Sequence, residues 1–239
     1  IAFSPGGQPV TIDKPGDRVM FWTQPGASAA LERYSPQPAT APGAFSGPRA
    51  VATASNGSIY VADTANNRVQ KLAADGSFIS VATTYGAGVQ LASPRAVAVE
   101  PPGTVLVATG GRIVRYTSNL TYVDDFGAGT IGTAAGIAVT SSGRIFVTDA
   151  ARNCVHEFSA GGAAVTRWPS DDTSGSAPGD FSGPRGVAVA GSSLWVVDSG
   201  NNRLQRLSFS GSHQQSVSTF PAGGTLFNQP SGAAVASDG

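Results

Sequence analysis

Short apolar runs of four or five residues recur along the whole chain, separated by turns rich in glycine and asparagine, and the local signals are all extended. The run IYVADTANNRVQKL from Ile59 returns as IFVTDAARNCVHEF from Ile145 and as LWVVDSGNNRLQRL from Leu194. PVTIDKPGDRVMFW from Pro9 keeps the aspartate, the turn and the arginine-hydrophobic step, while VLVATGGRIVRY from Val105 has a shortened turn and no aspartate. A second element precedes these runs: APGAFSGPRAVA from Ala41, LASPRAVAV from Leu91, APGDFSGPRGVA from Ala177 and FNQPSGAAV from Phe227. Together they place Ile1, Val51, Val97, Ile137, Val187 and Ala233 at equivalent positions, with spacings of 50, 46, 40, 50 and 46 residues. A period in this range marks a repeat architecture rather than a set of independent domains.

Each unit reads as four strands. In the second unit they are expected at 49–53, 58–63, 68–73 and 78–82, joined by turns at Asn56-Gly57, Asn66-Asn67 and Asp75-Gly76. Ile59 to Ala62 and Leu194 to Val197 are apolar on both alternating faces, so both faces of the sheet must be covered. Radial stacking of four-stranded antiparallel blades meets that demand and leaves only short edges, which predicts an all-β propeller. A β-sandwich, the alternative, does not require so regular a repeat. The blades fall at about 1–43, 44–89, 90–130, 131–179 and 180–226, in one domain. Residues 227–239 align with the first strand of a sixth blade, which predicts a six-bladed propeller in a longer parent chain. The competing arrangement is a closed five-bladed ring in which residues 231–237 displace the first few residues and close the first blade.

The pairing of Phe-x-x-Pro-x-Gly-hydrophobic-Ala-Val with hydrophobic-Val-x-Asp-x-x-Asn-Asn-Arg-hydrophobic resembles the NHL-repeat β-propellers, and residues 181–204 follow it nearly throughout. The resemblance is specific in the second and fifth units, good in the first and fourth, and degraded in the third, where Thr109 and Gly110-Gly111 replace the aspartate and the asparagines. It implies binding through one face of the disc, to protein or in some members RNA. A minority of the family is similar to a zinc-dependent amidating lyase.

Composition narrows the function. With 15 basic and 15 acidic residues the net charge is zero, and only two lysines, Lys14 and Lys71, are present, which argues against neutralising many phosphates of a nucleic acid. A single cysteine, Cys154, excludes an internal disulfide and is read as a buried hydrophobe in the place where other units carry arginine. The two histidines, His156 and His213, occupy different repeat positions and have no third histidine to complete a zinc site of the amidating-lyase kind. No serine elbow or phosphate loop occurs, so no catalytic residue, cofactor or metal is assigned and the chain is expected not to be an enzyme.

Asp13, Asp63, Asp149 and Asp198, with Arg18, Arg68 and Arg203 five residues after three of them, recur blade after blade, whereas catalysis needs one site; they are read as structural turn residues. Arg49, Arg95 and Arg185 each follow a proline and begin the first strand of a blade at the same point. Such positions form a ring in a propeller, and a ring of guanidiniums fits a carboxylate or other anion; the alternative is that these arginines cover the blade edge with their aliphatic stems. The function expected is a non-catalytic binding or scaffolding module that engages a protein or peptide through a face, in an extracellular assembly or ectodomain. The alternative is a propeller enzyme or an anion sensor using the central channel, with RNA binding a weaker third reading. Variable loops at 35–45, 171–181 and 218–227 would set specificity, and Asp171, Asp172 and Asp180 are read as solvated loop acids rather than calcium ligands. Sequons at Asn56 and Asn119 would accept glycans in a secreted protein. Scarce lysine and a Pro-rich stretch from Ser35 favour an extracellular over a cytoplasmic location, and no membrane-spanning stretch is present.

Overall fold

The computed structural model describes residues 1–13, 15–22, 30–33, 39–219 and 227–235. It is all-β, with five four-stranded antiparallel sheets whose strands pair in sequence order. Blade 1 comprises Ala2–Phe3, Pro9–Asp13, Arg18–Trp22 and Ala30–Arg33; blade 2 comprises Ala50–Thr53, Ile59–Asp63, Arg68–Leu72 and Phe78–Ala82. Blade 3 comprises Ala96–Val99, Val105–Thr109, Arg112–Tyr116 and Tyr122–Phe126. Blade 4 comprises Ala134–Val139, Ile145–Asp149, Cys154–Phe158 and Ala164–Trp168, and blade 5 Val187–Ala190, Ser193–Asp198, Arg203–Ser208 and His213–Val217. The blade 2 strands fall within one residue of their expected places. A small hairpin, Thr84–Tyr85 with Val89–Gln90, was not expected. No helix among the described residues is long and apolar enough to cross a membrane.

The chain divides into two compact units, Ile1–Asp125 and Phe126–Gly239. Within each, alternate residues of one strand face different neighbours. In the first unit Ile59 and Val61 pack with Val10 and Val19 of blade 1, whereas Tyr60 and Ala62 pack with Val105, Val107 and Tyr116 of blade 3. In the second unit Phe146 and Val155 of blade 4 join Val187, Leu194, Val196 and Leu207 of blade 5. Cover on both faces is why the second and third strands of blade 2 are buried at every position, and those of blade 4 are equally buried. Each fully buried aliphatic side chain stabilises by about 1.5–3 kcal/mol. The fourth strands of blades 3, 4 and 5 are exposed or partly buried throughout, and Phe78–Ala82 of blade 2 alternates before ending on buried Ala82.

A second device joins consecutive blades inside each unit. The turn between second and third strands ends on a left-handed residue: Asp17 at φ 49°, Asn67 at 52°, Asn153 at 52° and Asn202 at 53°. Its side-chain Oδ1 accepts the backbone N–H of the loop leading to the next blade, at Gly47, Ser93 (2.8 Å), Gly183 (2.9 Å) and Gln229 (2.8 Å) respectively. Those four donors also have positive φ, which glycine tolerates at Gly47 and Gly183 and which costs Ser93 and Gln229 strain. In blade 3 the turn is Gly110-Gly111, which has no side chain to offer. Gln229 takes this hook and residues 227–235 run on beside blade 5 without strand pairing, while 236–239 lie outside the described residues.

Candidate functional site

The repeated aspartates sit at the end of the second strand, where they hold the preceding loop. In blade 2, Asp63 is fully buried and accepts Ser46 N (2.7 Å), Asn66 Nδ2 (2.9 Å), Arg68 Nε (2.6 Å) and Gln70 Nε2 (3.1 Å). Blade 5 repeats the set: Asp198 accepts Ser182 N (2.7 Å), Asn201 Nδ2 (2.9 Å), Arg203 Nε (2.7 Å) and Gln205 Nε2 (3.1 Å). The guanidiniums spend their other N–H groups on loop carbonyls, Thr40, Ala41 and Ala44 for Arg68, and Ser176, Ala177 and Asp180 for Arg203. Asp13 and Arg18 pair at 2.7 Å in a more exposed place, and Arg18 first, then Gly16 N–H, holds the Asp13 carboxyl below the usual range. In blade 3 a neutral substitute appears, Thr109, whose Oγ1 accepts Ala92 N and donates to Ala92 O, each at 2.9 Å.

Blade 4 departs from the pattern. Asp149 Oδ1 accepts the N–H groups of Thr133, Ala151 and Arg152, and Oδ2 accepts Gly132 N at 2.6 Å. The positions of arginine and glutamine are held by Cys154 and His156. His156 Nε2 lies 3.1 Å from Asp149 Oδ2 and 3.4 Å from Cys154 Sγ. Burial pushes the Cys154 thiol up to about 12, with the Asp149 charge adding to the effect. Burial also acts to raise Asp149, but His156 and the three backbone donors Thr133, Gly132 and Arg152 more than offset it, and the carboxyl lies well below its usual range. The three donor atoms are mutually within 4.8 Å, the one group among the described residues with the composition of a metal-ligand set. Sequence reading missed it by weighing Cys154 and His156 separately. The signal was present: residues 154 and 156 share one face of a strand, and Cys154 pairs directly across from Asp149.

Arg49, Arg95 and Arg185 are all exposed. Each is fixed by its backbone, with N–H to the carbonyls of Ala62 (3.0 Å), Ala108 (2.9 Å) and Val197 (2.9 Å). Arg49 and Arg95 stand at the starts of neighbouring first strands in the first unit; Arg185 holds the same place in the second unit, where Thr148 Oγ1 donates to its carbonyl. The guanidiniums of Arg95 and Arg185 make no hydrogen bond or ion pair among the described residues. The first unit also carries a cavity of about 520 Å³ by the opposite turns of blades 1 and 2, lined by Pro5, Gln8, Phe21, Trp22, Asn56 and Ile59 among others. Asn56 is thus both a sequon and part of a pocket wall, and Asn119 is exposed with Oδ1 3.1 Å from Lys71 Nζ. His213 is on the fourth strand of blade 5, bonded to Ser216 Oγ. Asp172 is engaged by Arg152 and Arg167, and Asp171 by Thr173. Residues 34–38 and 220–226, which include much of two expected specificity loops, and Lys14 lie outside the described residues.

Comparison with known proteins bears on both family and activity. No curated protein sequence matches the chain. In fold it is similar to a streptogramin B lyase structure, with a TM-score of 0.70 and 17% identity over 98% of this chain and 71% of that one. It is also similar to virginiamycin B lyase from Staphylococcus aureus: a catalytically inactive histidine-to-alanine variant with quinupristin (TM-score 0.66, 16% identity, 95% and 73% covered) and the selenomethionine-substituted protein (0.64, 15%, 95% and 74%). The likeness shows a shared propeller fold. It also overturns the expectation that the chain is not an enzyme, because lyases are among the structures that share its fold; missing sequence hallmarks of serine, phosphate-loop or three-histidine chemistry do not exclude catalysis. The NHL repeat family matches residues 45–72, 133–158 and 181–207, which run from the loop into the third strand of blades 2, 4 and 5. With the NHL repeat matched in three of its five four-stranded blades, the chain is a β-propeller that carries NHL repeats.

Proposed function

We propose that the chain binds an acidic peptide segment of a protein partner through the face on which Arg95 and Arg49 begin their strands, with Arg185 offering the same group in its own unit. The observation that carries this reading is the contrast among the arginines. Those after the aspartates are consumed by carboxylate and carbonyl partners, whereas Arg95 is anchored only by its main chain and keeps its guanidinium for a ligand. A planar guanidinium on a rigid strand start suits bidentate contact with a carboxylate. The zero net charge of the chain favours such a local contact over broad electrostatic attraction.

Fluorescence anisotropy with a labelled Glu/Asp-rich peptide and its Gln/Asn counterpart tests this. Wild-type protein should bind the acidic peptide alone, and Arg95→Ala should weaken binding by about 10-fold or more, the loss of one charge-assisted contact of about 1.5–3 kcal/mol. Equal binding of both peptides, or no effect of Arg95→Ala, refutes it. The lyase-like fold favours a second reading, turnover of a ligand held at this face. Incubation with quinupristin followed by liquid chromatography tests that reading, and consumption of quinupristin that Arg95→Ala abolishes would support it.

A further inference from the structure

The odd blade is best understood through its neighbours. In blades 2 and 5 a buried carboxylate is neutralised by an arginine Nε at 2.6–2.7 Å and receives a glutamine Nε2 at 3.1 Å. Blade 4 keeps the buried carboxylate, Asp149 with no exposure, and removes the guanidinium. The closest guanidinium nitrogen is Arg152 Nε, 3.9 Å away and without a hydrogen-bond partner, while Arg152 Nη1 is directed to Asp172 at 2.9 Å. In place of the arginine and glutamine stand a thiol and an imidazole, both buried. One ring nitrogen, His156 Nε2, faces both the sulfur at 3.4 Å and the carboxylate oxygen at 3.1 Å. The three side chains thus converge on one point, with the thiol, a weak donor and acceptor, adding least to the hydrogen bonding.

We propose that Asp149, Cys154 and His156 form a binding site for a single divalent metal ion of the zinc class, a site built into one blade and absent from the other four. The geometry fits. With Zn–S near 2.3 Å and Zn–N and Zn–O near 2.0–2.2 Å, the edges of a tetrahedron between ligand atoms are about 3.4–3.6 Å. The distances here are 3.4 and 3.1 Å, with all donors inside 4.8 Å, so the three side chains need only small movements to enclose an ion. A thiolate, an imidazole and a carboxylate together suit zinc or cobalt rather than magnesium or calcium. The charges also balance. Loading releases the Cys154 proton to solvent, and a divalent ion then offsets the thiolate and the Asp149 carboxylate, so the buried site is neutral as the Asp63–Arg68 and Asp198–Arg203 pairs are. Asp149 keeps its Oδ1 bonds to Thr133, Ala151 and Arg152, which would orient it from behind as an outer shell does. Three protein ligands leave a fourth position for water or a small anion.

Cobalt reports on this site directly. Metal-free protein titrated with Co²⁺ should take up one equivalent and develop a sulfur-to-cobalt charge-transfer band with tetrahedral visible bands, and Zn²⁺ should displace it. The informative control is the double variant Cys154→Arg/His156→Gln, which installs the residues of blades 2 and 5 and so should fold. It should lose the cobalt bands and weaken zinc binding by more than about 100-fold, beyond the roughly 10–100-fold expected from loss of an outer-shell partner alone. Zn²⁺, and not Mg²⁺, should raise the melting temperature of the wild type and leave that of the double variant unchanged. Absence of a sulfur-to-cobalt band in the wild type, or equal zinc stabilisation of both proteins, overturns the proposal.

Discussion

The Asp63–Arg68 and Asp13–Arg18 pairs share sequence spacing and contact distance but not environment, which makes them a controlled comparison. Asp63 has no exposed side-chain surface and Arg68 has 10%, against 23% for Asp13 and 27% for Arg18. Replacing Asp63 by alanine removes four hydrogen bonds and leaves a buried guanidinium without its counter-charge, a loss of about 3–5 kcal/mol. For a chain of this length each kcal/mol lowers the melting temperature by about 2–4 °C, so Asp63→Ala should melt about 6–20 °C below wild type. Asp13→Ala should lower it by far less, because solvent already screens that pair. Adding Arg68→Met to Asp63→Ala should recover part of the loss, since the stranded charge goes with it, and a double-mutant cycle should return a coupling of at least about 1 kcal/mol. Calorimetry and urea titration of the four variants supply the numbers. If Asp63→Ala costs no more than Asp13→Ala, the assignment of the buried aspartate as a loop clamp is wrong.

Three further outcomes are expected. Asn67→Gly should be milder than Asn67→Ala in urea titration, because both lose the bond to Ser93 N but only alanine is forced into the left-handed region at about 1 kcal/mol; equal losses would show that the backbone conformation is not the cost. Burial, and then neighbouring Tyr85 and Tyr122, raise the Tyr116 phenol far above its ordinary value of 10.0. Its contribution is therefore intact below about pH 10 and lost as pH climbs towards the folded value, so Tyr116→Phe should stay folded by circular dichroism to higher pH than wild type, and an unchanged alkaline midpoint would contradict this. A methyl group added at Gly186 would lie 2.9 Å from Gly232 Cα and 3.0 Å from Ala233 N, so Gly186→Ala should speed hydrogen exchange around residues 186–197, and unaltered exchange would mean the 232–233 segment yields freely.

The strands were legible because second strands such as 59–62 and 194–197 are apolar at successive positions, a pattern that a sheet covered on both sides requires. The left-handed turns were legible too: Asn67 and Asn202 have the positive φ that an Asn-Asn pair predicts. What those side chains hold was not, because their partners are backbone N–H groups 26 and 27 residues away and leave no trace in residue type. The Asp149, Cys154 and His156 cluster was missed for a different reason. Cys154 was set against the arginines of other blades, but His156 was weighed against His213 rather than against the glutamines in its place, and the two were never read together with Asp149. Arg49, Arg95 and Arg185 stood out as a repeated feature, but the contrast between Arg95 and the fully engaged Arg68 and Arg203 required coordinates.

The hooks between blades are asymmetric in what they demand of the sequence. One partner is an Asn or Asp side chain, while the other is a peptide group that glycine supplies without strain and serine and glutamine supply at some backbone cost. A gene segment copied in tandem therefore arrives already compatible with whatever follows it, since the receiving loop needs no matching substitution. Growth of such a protein by duplication can proceed one blade at a time, and the loops are left free to diverge towards new ligands while a single asparagine or aspartate keeps the joint.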